Sequence, residues 1–376
     1  MINYYQPWYI SFFTPKRHAP PKGVVRYYYH SFEDGLWDLV AHRFPNGALF
    51  LIPDFYCMDV LENIVSHGSR YVFYPLDADF QIAEQTFETL VKQYQPDIAV
   101  VFHACGITSH LMEKAGWMHG LKPNALILED CVQRLVNQNE IKLARPNHLV
   151  MDSMRKVSPV PGSFMYGSAQ VLSFPQAQTA RWSWYFLSSF LLYIIFRATL
   201  EFGFFVNSER IVTFAHRTLL KMHDDIIGDS KTPHQGTRLF RMLAEHMDIE
   251  KIQKIKERQA KLYERMLEPL FQHGFAHHIA IPSGDYQQLH VYPLVFEKMP
   301  DAGLEAYLRS RNMAVWFKFP DAPWSSDKSV LFLPLGPQIK DWEIKKLAQT
   351  LREWFGQNQI GQQTVSSGTR SAEPQA

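Results

Sequence analysis

From residue 31 to residue 166 the chain alternates between a helical and an extended hydrophobic rhythm. Ser31 stands as an N-cap with Asp34 three positions on, and Phe32, Leu36, Leu39 and Val40 follow at helical spacing. The short apolar run Ala48-Leu49-Phe50-Leu51-Ile52 is then stopped by Pro53. A second helix is predicted from Met58 to His67, closed by Gly68, and it leads into the strand Tyr71-Val72-Phe73-Tyr74. Residues 80–94 read as helix, Ile98 to Phe102 as strand, 108–119 as helix, and Ala125 to Leu128 as strand again. Short buried runs separated by helices predict an α/β fold, a mainly parallel sheet sandwiched by helices.

The rhythm then changes. Trp182 to Phe196 is an uncharged stretch, and Arg197 and Glu201 interrupt a second apolar patch that ends at Phe205. Such a run is shorter than the ~20 residues a membrane-crossing helix needs. It reads as a buried or interface helix, with peripheral contact to a membrane surface through 182–205 as the alternative that its aromatic residues leave open. Residues 236–272 read as one long charged amphipathic helix or a broken pair. The runs Leu289 to Phe296, 301–312, Val330 to Leu333 and 341–355 give a smaller α+β unit.

The expected organisation is therefore an extended aromatic and Pro-rich arm (1–23), a large α/β domain (24–235), a small C-terminal α+β domain (236–356) and a disordered Gln/Ser/Gly/Thr-rich tail (357–376). The arm has no basic segment followed by a plain apolar one, so it is not read as a signal peptide.

Composition narrows the function. Thirty-eight basic residues face 37 acidic ones, and a net charge of +1 offers no field for nucleic acid. With 46% apolar and 20% charged residues, the chain is neither broadly disordered nor an integral membrane bundle. Cys57, Cys105 and Cys131 suit neither a disulfide framework nor a CxxC zinc site, and a cytoplasmic setting is expected.

Ligands of open α/β sheets bind beyond the carboxyl ends of the strands. The segments there are Pro53-Asp54-Phe55-Tyr56-Cys57, His103-Ala104-Cys105-Gly106, Glu129-Asp130-Cys131-Val132-Gln133 and Asp152-Ser153-Met154-Arg155-Lys156. Neither GxGxxG nor GxxxxGK[ST] is present. No metal site is expected: His223-Asp224-Asp225 lacks a third spaced ligand, His273, His277 and His278 flank a loop glycine, and His103 reads as a strand-end histidine. Alone, Asp130 is a capped strand-end acid and Lys156 a solvated lysine.

Together, the succession resembles the DegT/StrS-type sugar aminotransferases among the fold-type-I enzymes that use pyridoxal 5'-phosphate (PLP). The resemblance extends over Asp77-Ala78-Asp79, Tyr292-Pro293-Leu294, Leu308 and Val330 to Leu335, so that it covers roughly residues 24–355. It implies that Lys156 forms the Schiff base and shuttles a proton, that Asp130 holds the pyridine nitrogen, that Gln133 meets the ring hydroxyl and that Ser153 helps hold the phosphate. Ser31 and Phe32, at a helix N-terminus, are the implied phosphate cradle, and Tyr56 or Phe55 supplies the stacking face. It further implies an aminotransferase with an amino-acid donor such as glutamate, a keto-sugar acceptor and a homodimer whose subunits share each site. A lyase or dehydratase on the same fold, or a non-catalytic scaffold binding a partner or membrane surface, are the alternatives.

Three departures stand out. The family's glycine at the phosphate turn is absent from His30-Ser31-Phe32, its glycine-rich segment after the lysine is replaced by Pro159-Val160-Pro161-Gly162-Ser163, and its partner-reaching Asn-Tyr-Arg segment has no clear counterpart. They leave cofactor capture intact as an expectation and weaken the expectation of a nucleotide-sugar substrate.

Overall fold

The structure, a computed structural model, describes residues 2–3, 13–114, 116–156, 160–179, 191, 232–297, 300, 303–315, 317–337 and 339–367, without side chains beyond 357. The apolar stretch 182–205, apart from Leu191, lies outside these residues, as do His223-Asp224-Asp225 and most of the first 12 residues. The strands are β1 (Ile2–Asn3), β2 (Val24–Tyr29), β3 (Leu49–Pro53), β4 (Arg70–Tyr74), β5 (Ile98–Phe102), β6 (Leu126–Cys131), β7 (His148–Asp152), β8 (Ser163–Ser168), β9 (Gln178–Thr179), β10 (His234–Gln235), β11 (Val291–Phe296), β12 (Met313–Ala314) and β13 (Ser329–Pro334). The helices are α1 (Phe32–Arg43), α2 (Met58–Ser66), α3 (Glu84–Tyr94), α4 (Arg238–Glu245), α5 (Ile249–Gln272), α6 (Gly303–Ser310) and α7 (Asp341–Ser367).

Among the described residues nine strands form one sheet in the order β4-β3-β5-β6-β7-β8-β2-β10-β9. Strands β4, β3, β5, β6 and β7 are mutually parallel, and β5 is buried at every position, as a strand covered on both faces should be. Strand β8 runs against both β7 and β2. Two reversals make β2 parallel to β7, so the start of α1 emerges at the same sheet edge as the ends of β6 and β7. An antiparallel pair of β11 and β13, with α6 and β12 between them in the chain, carries the C-terminal part, and its buried residues join the core of the large sheet in one continuous cluster.

Several expected elements are redrawn. Residues 108–119 form two short 3-10 turns, His110–Met112 and Gly116–Gly120, instead of a helix. Two glycines in five residues weaken the helix, and the Trp117 indole donates to the Leu111 carbonyl at 2.9 Å, which folds the segment back. Helix α3 starts only at Glu84, because the Asp77 carboxylate ties the amides of Asp79 and Gln81 into a turn with Phe80 at φ +59°. The long charged segment is a broken pair. The break at 246–248 is set by Asp248, whose side chain caps α5 by accepting from Lys251 N at 3.1 Å. Helix α7 continues to Ser367, through the first part of the segment expected to be a disordered tail. Extending an established helix costs far less than starting one, and glutamine is a good helix former.

Candidate functional site

Asp130 is the penultimate residue of β6, in the middle of the sheet, opposite Phe102 of β5 and Met151 of β7. It is 2% exposed. Its Oδ2 accepts from the Tyr56 hydroxyl at 2.5 Å and its Oδ1 from Val132 N at 2.9 Å. Burial lifts its pKa to about 6 against the pull of these two donors, with Glu33 adding repulsion and Lys156 attraction.

Strand β7 ends beside it, and the chain turns through Ser153 into a 3-10 turn, Met154–Lys156, closed by Lys156 N on Ser153 O at 3.1 Å. The half-buried Lys156 is thereby placed at the same edge as Asp130. Desolvation brings its pKa down to about 7, and the Arg155 and Lys318 cations press in the same direction. Lys318 comes from the loop between β12 and β13, whose register is fixed by Lys318 N on Val330 O at 3.0 Å. Its Nζ lies 4.6 Å from the centre of the Phe319 ring. The Cys57 thiol also feels both lysines, and burial raises its pKa. Cys57 belongs to the strand-end segment 53–57, whereas Lys318 was not singled out by the strand-end reading, since a lysine in the distant loop between β12 and β13 carries no local signal.

The remaining expected residues divide. Gln133 is buried, and its Oε1 accepts from Cys105 N at 2.7 Å, so its carbonyl already fixes the β5 end. That contact is tight because Gly106, at φ +97°, lets the backbone of Gln288 and Leu289 pass where any Cβ would meet atoms at 2.7 Å. Ser31 caps α1 as expected, accepting from Asp34 N at 3.0 Å, but its hydroxyl then donates to Asp34 Oδ2 at 2.6 Å. Phe32 is the first residue of α1 and Ser153 is buried beside the lysine turn.

Tyr56 points its hydroxyl at Asp130 and its ring edge-on to Phe102, with centroids 5.3 Å apart. Phe55 is fully buried among Phe80, Phe319 and Trp324, each about 5 Å away. It has no free face for a ligand, because alternation along the chain sends it to the opposite side from Tyr56 and into the loop between β12 and β13.

On the other face of β6, Glu129 lies between two buried histidines, 2.8 Å from His103 Nε2 and 3.0 Å from His148 Nε2. Burial would raise its pKa, but the two imidazoles outweigh this and hold it well below the usual carboxylate range. His103, Glu129 and Cys131 bring three potential metal ligands within 4.8 Å of one another. The tautomers oppose that use. His103 Nδ1 accepts from Ser109 N and His148 Nδ1 from Ala144 N, which leaves the Nε2 protons on Glu129 rather than the lone pairs a metal needs.

The ring end of the site fits a protonated pyridine nitrogen: a buried carboxylate, braced by a phenol, at the end of a central strand. A lysine with a depressed pKa stands at the end of the neighbouring strand. The phosphate end is less simple, since Glu33 and Asp34 are both buried in the first turn of α1.

The fold is that of the fold-type-I PLP-dependent enzymes. The chain is similar to a DegT/DnrJ/EryC1/StrS aminotransferase from Brucella abortus, at 15% identity and a TM-score of 0.55 over 88% of this chain and 85% of that one. It is similar to DesV from S. venezuelae at 13% identity and a TM-score of 0.55, over 89% and 85%. A cysteine desulfurase from Thermococcus onnurineus NA1 also matches, at 14% identity and a TM-score of 0.53, over 89% and 79%. The sequence matches no protein-family model and no curated protein. Aminotransfer and desulfuration therefore both occur on this architecture, and the reaction has to be argued from the site.

Proposed function

We propose that the protein is a PLP-dependent aminotransferase that moves an amino group from an amino-acid donor such as glutamate to a keto compound, most simply a keto-sugar. The observation that carries this reading is the pairing of Asp130, buried and braced by Tyr56, with Lys156 at the ends of adjacent strands. Bound PLP supplies an electron sink for the carbanion left when a proton leaves the substrate carbon. Asp130 holds the proton on the ring nitrogen, and a cation placed against it keeps the carboxylate ionised at neutral pH. Lys156, unprotonated in a sizeable fraction near pH 7, is both the nucleophile that captures the cofactor and the base that moves the proton. Gln133 and Ser153 line the same edge, and a second copy of the chain completes the site in a homodimer.

The test is optical. Purified protein supplied with PLP should take on a visible absorption band that shifts when glutamate is added and is absent in Lys156→Ala. A protein that ignores added PLP overturns the reading. Recovery of pyridoxamine phosphate after one half-reaction separates aminotransfer from elimination, which returns PLP unchanged.

A further inference from the structure

Three features converge at the N-terminus of α1. Arg155, the residue before the proposed cofactor lysine, lies with Nη2 3.6 Å from Glu33 Oε1, and its side chain is 12% exposed. That distance is an ion pair but not a hydrogen bond. Both partners keep a buried atom that is unsatisfied among the described residues: Nε of Arg155 and Oε2 of Glu33. A buried guanidinium nitrogen without an acceptor is costly, and such a group calls for an explanation. The first-turn amides of a helix have no intrahelical partner, and Ser31 takes only that of Asp34. Those of Phe32 and Glu33 point out of the same end.

The charge balance selects what belongs there. Asp34 is already bound to the Ser31 hydroxyl and to His234 N at 2.8 Å, so it has donors of its own. Among the described residues Glu33 has only the loose contact to Arg155. A dianionic phosphate set against two free amides requires a full cation nearby, because the helix end contributes only about half a charge. Lys156 is committed to the cofactor's other end.

We propose that Arg155 is the phosphate anchor of this site, and that Glu33 holds it in place until phosphate displaces the carboxylate. The proposal rests on the cofactor reading above. It puts the binding charge in the lysine turn itself, where the altered phosphate turn at 30–32 no longer supplies a glycine cradle.

The test uses the full chain with inorganic phosphate, PLP and pyridoxal, which lacks the phosphate. Inorganic phosphate should raise the melting temperature of the wild type and of Lys156→Ala, and should not raise that of Arg155→Gln. Arg155→Gln should lose at least about ten-fold in PLP affinity, read as borohydride-fixed mass on Lys156, with pyridoxal capture unchanged; the expected loss is that of one charge-assisted hydrogen bond. Arg155→Lys should fall between, and Glu33→Gln should bind PLP more tightly than the wild type. Phosphate that stabilises Arg155→Gln as well as the wild type, or an equal loss of PLP and pyridoxal capture, overturns the proposal. Phosphate stabilisation that depends on Arg155, with no aldehyde captured at all, upholds the anchor and sinks the cofactor reading alone.

Discussion

A hydroxyl 2.5 Å from a buried carboxylate does more than fill space. Tyr56 keeps Asp130 aimed and partly offsets its desolvation, so Tyr56→Phe should raise the Asp130 pKa further while leaving the ring packing in place. A hydrogen bond to a charged group is worth roughly 1.5–3 kcal/mol. The expected result is a drop in turnover of about 10- to 100-fold at neutral pH, partly recovered as pH rises; a pH–rate profile unchanged from the wild type would show that Tyr56 does not act through Asp130. The positions of Asp130 and Lys156 at strand ends were legible in the sequence because a strand end is marked by local pattern, whereas their roles came only from the family resemblance. The roles of Tyr56 and Phe55 were not legible. Both are aromatic and adjacent, and only the arrival of Phe319 and Trp324 from the distant loop between β12 and β13 decides which ring is enclosed and which faces the acid.

At the scale of elements, the loop before β13 is a clamp. Trp324 donates its indole N–H to the Asp77 carbonyl at 3.0 Å, its backbone N–H reaches the Asp54 carbonyl at 3.3 Å, and its ring stacks on Phe80. It therefore ties the C-terminal loop to the end of β3, one residue from Phe55 and two from Tyr56. Trp324→Ala should cost about 3–5 kcal/mol of stability by loss of a fully buried ring, measured by denaturant unfolding. It should also weaken PLP retention more than a core substitution of equal cost far from the site, because Lys318 rides on the same loop. Strands β3, β5 and β6 were read within a residue or so at their starts, each being a short run of apolar residues between turn signals. Strands β2 and β8 were not anticipated: Tyr27-Tyr28-Tyr29 has no alternation, and its partner lies 134 positions away, as in Tyr29 against Ser163.

Taken whole, the molecule buries titratable groups of both signs, and pH acts on each limb differently. Lys256 donates to the carbonyls of Leu289 and His290 at 2.9 and 3.0 Å, and desolvation lowers its pKa from 10.5 to about 7. Between those values the unfolded chain binds more protons than the folded one, so this group makes stability increase with pH and the gain is lost as pH falls through about 7. Its share of the slope is at most about 1.4 kcal/mol per pH unit. Lys256→Met should flatten the stability curve from pH 7 to 10 relative to the wild type, whatever its effect at a single pH; an unchanged slope would mean that the ammonium is solvated. Asp152, raised to about 7 by burial, has the opposite sign: it favours the fold below pH 3.8, and that contribution is lost as pH rises through about 7.

The segment 288–290 draws these parts together. Leu135 N donates to the Gln288 carbonyl, His290 N to the Cys105 carbonyl, and Lys256 to the carbonyls of Leu289 and His290, while Gly106 leaves room for the backbone of Gln288 and Leu289. The early part of the chain is tied to late residues in the same way, with Thr14 N on His246 O and β2 between β8 and β10. A ribosome delivers this chain N-terminus first, so β3, β5 and β6 emerge well before the residues that cover their ends. The nascent sheet must wait, with its strand-end loops unpaired, until synthesis has passed residue 290. The ends of β3, β5 and β6 therefore gain these partners only from residues made more than 150 positions later, and until then the sheet's loops are open to non-native contacts.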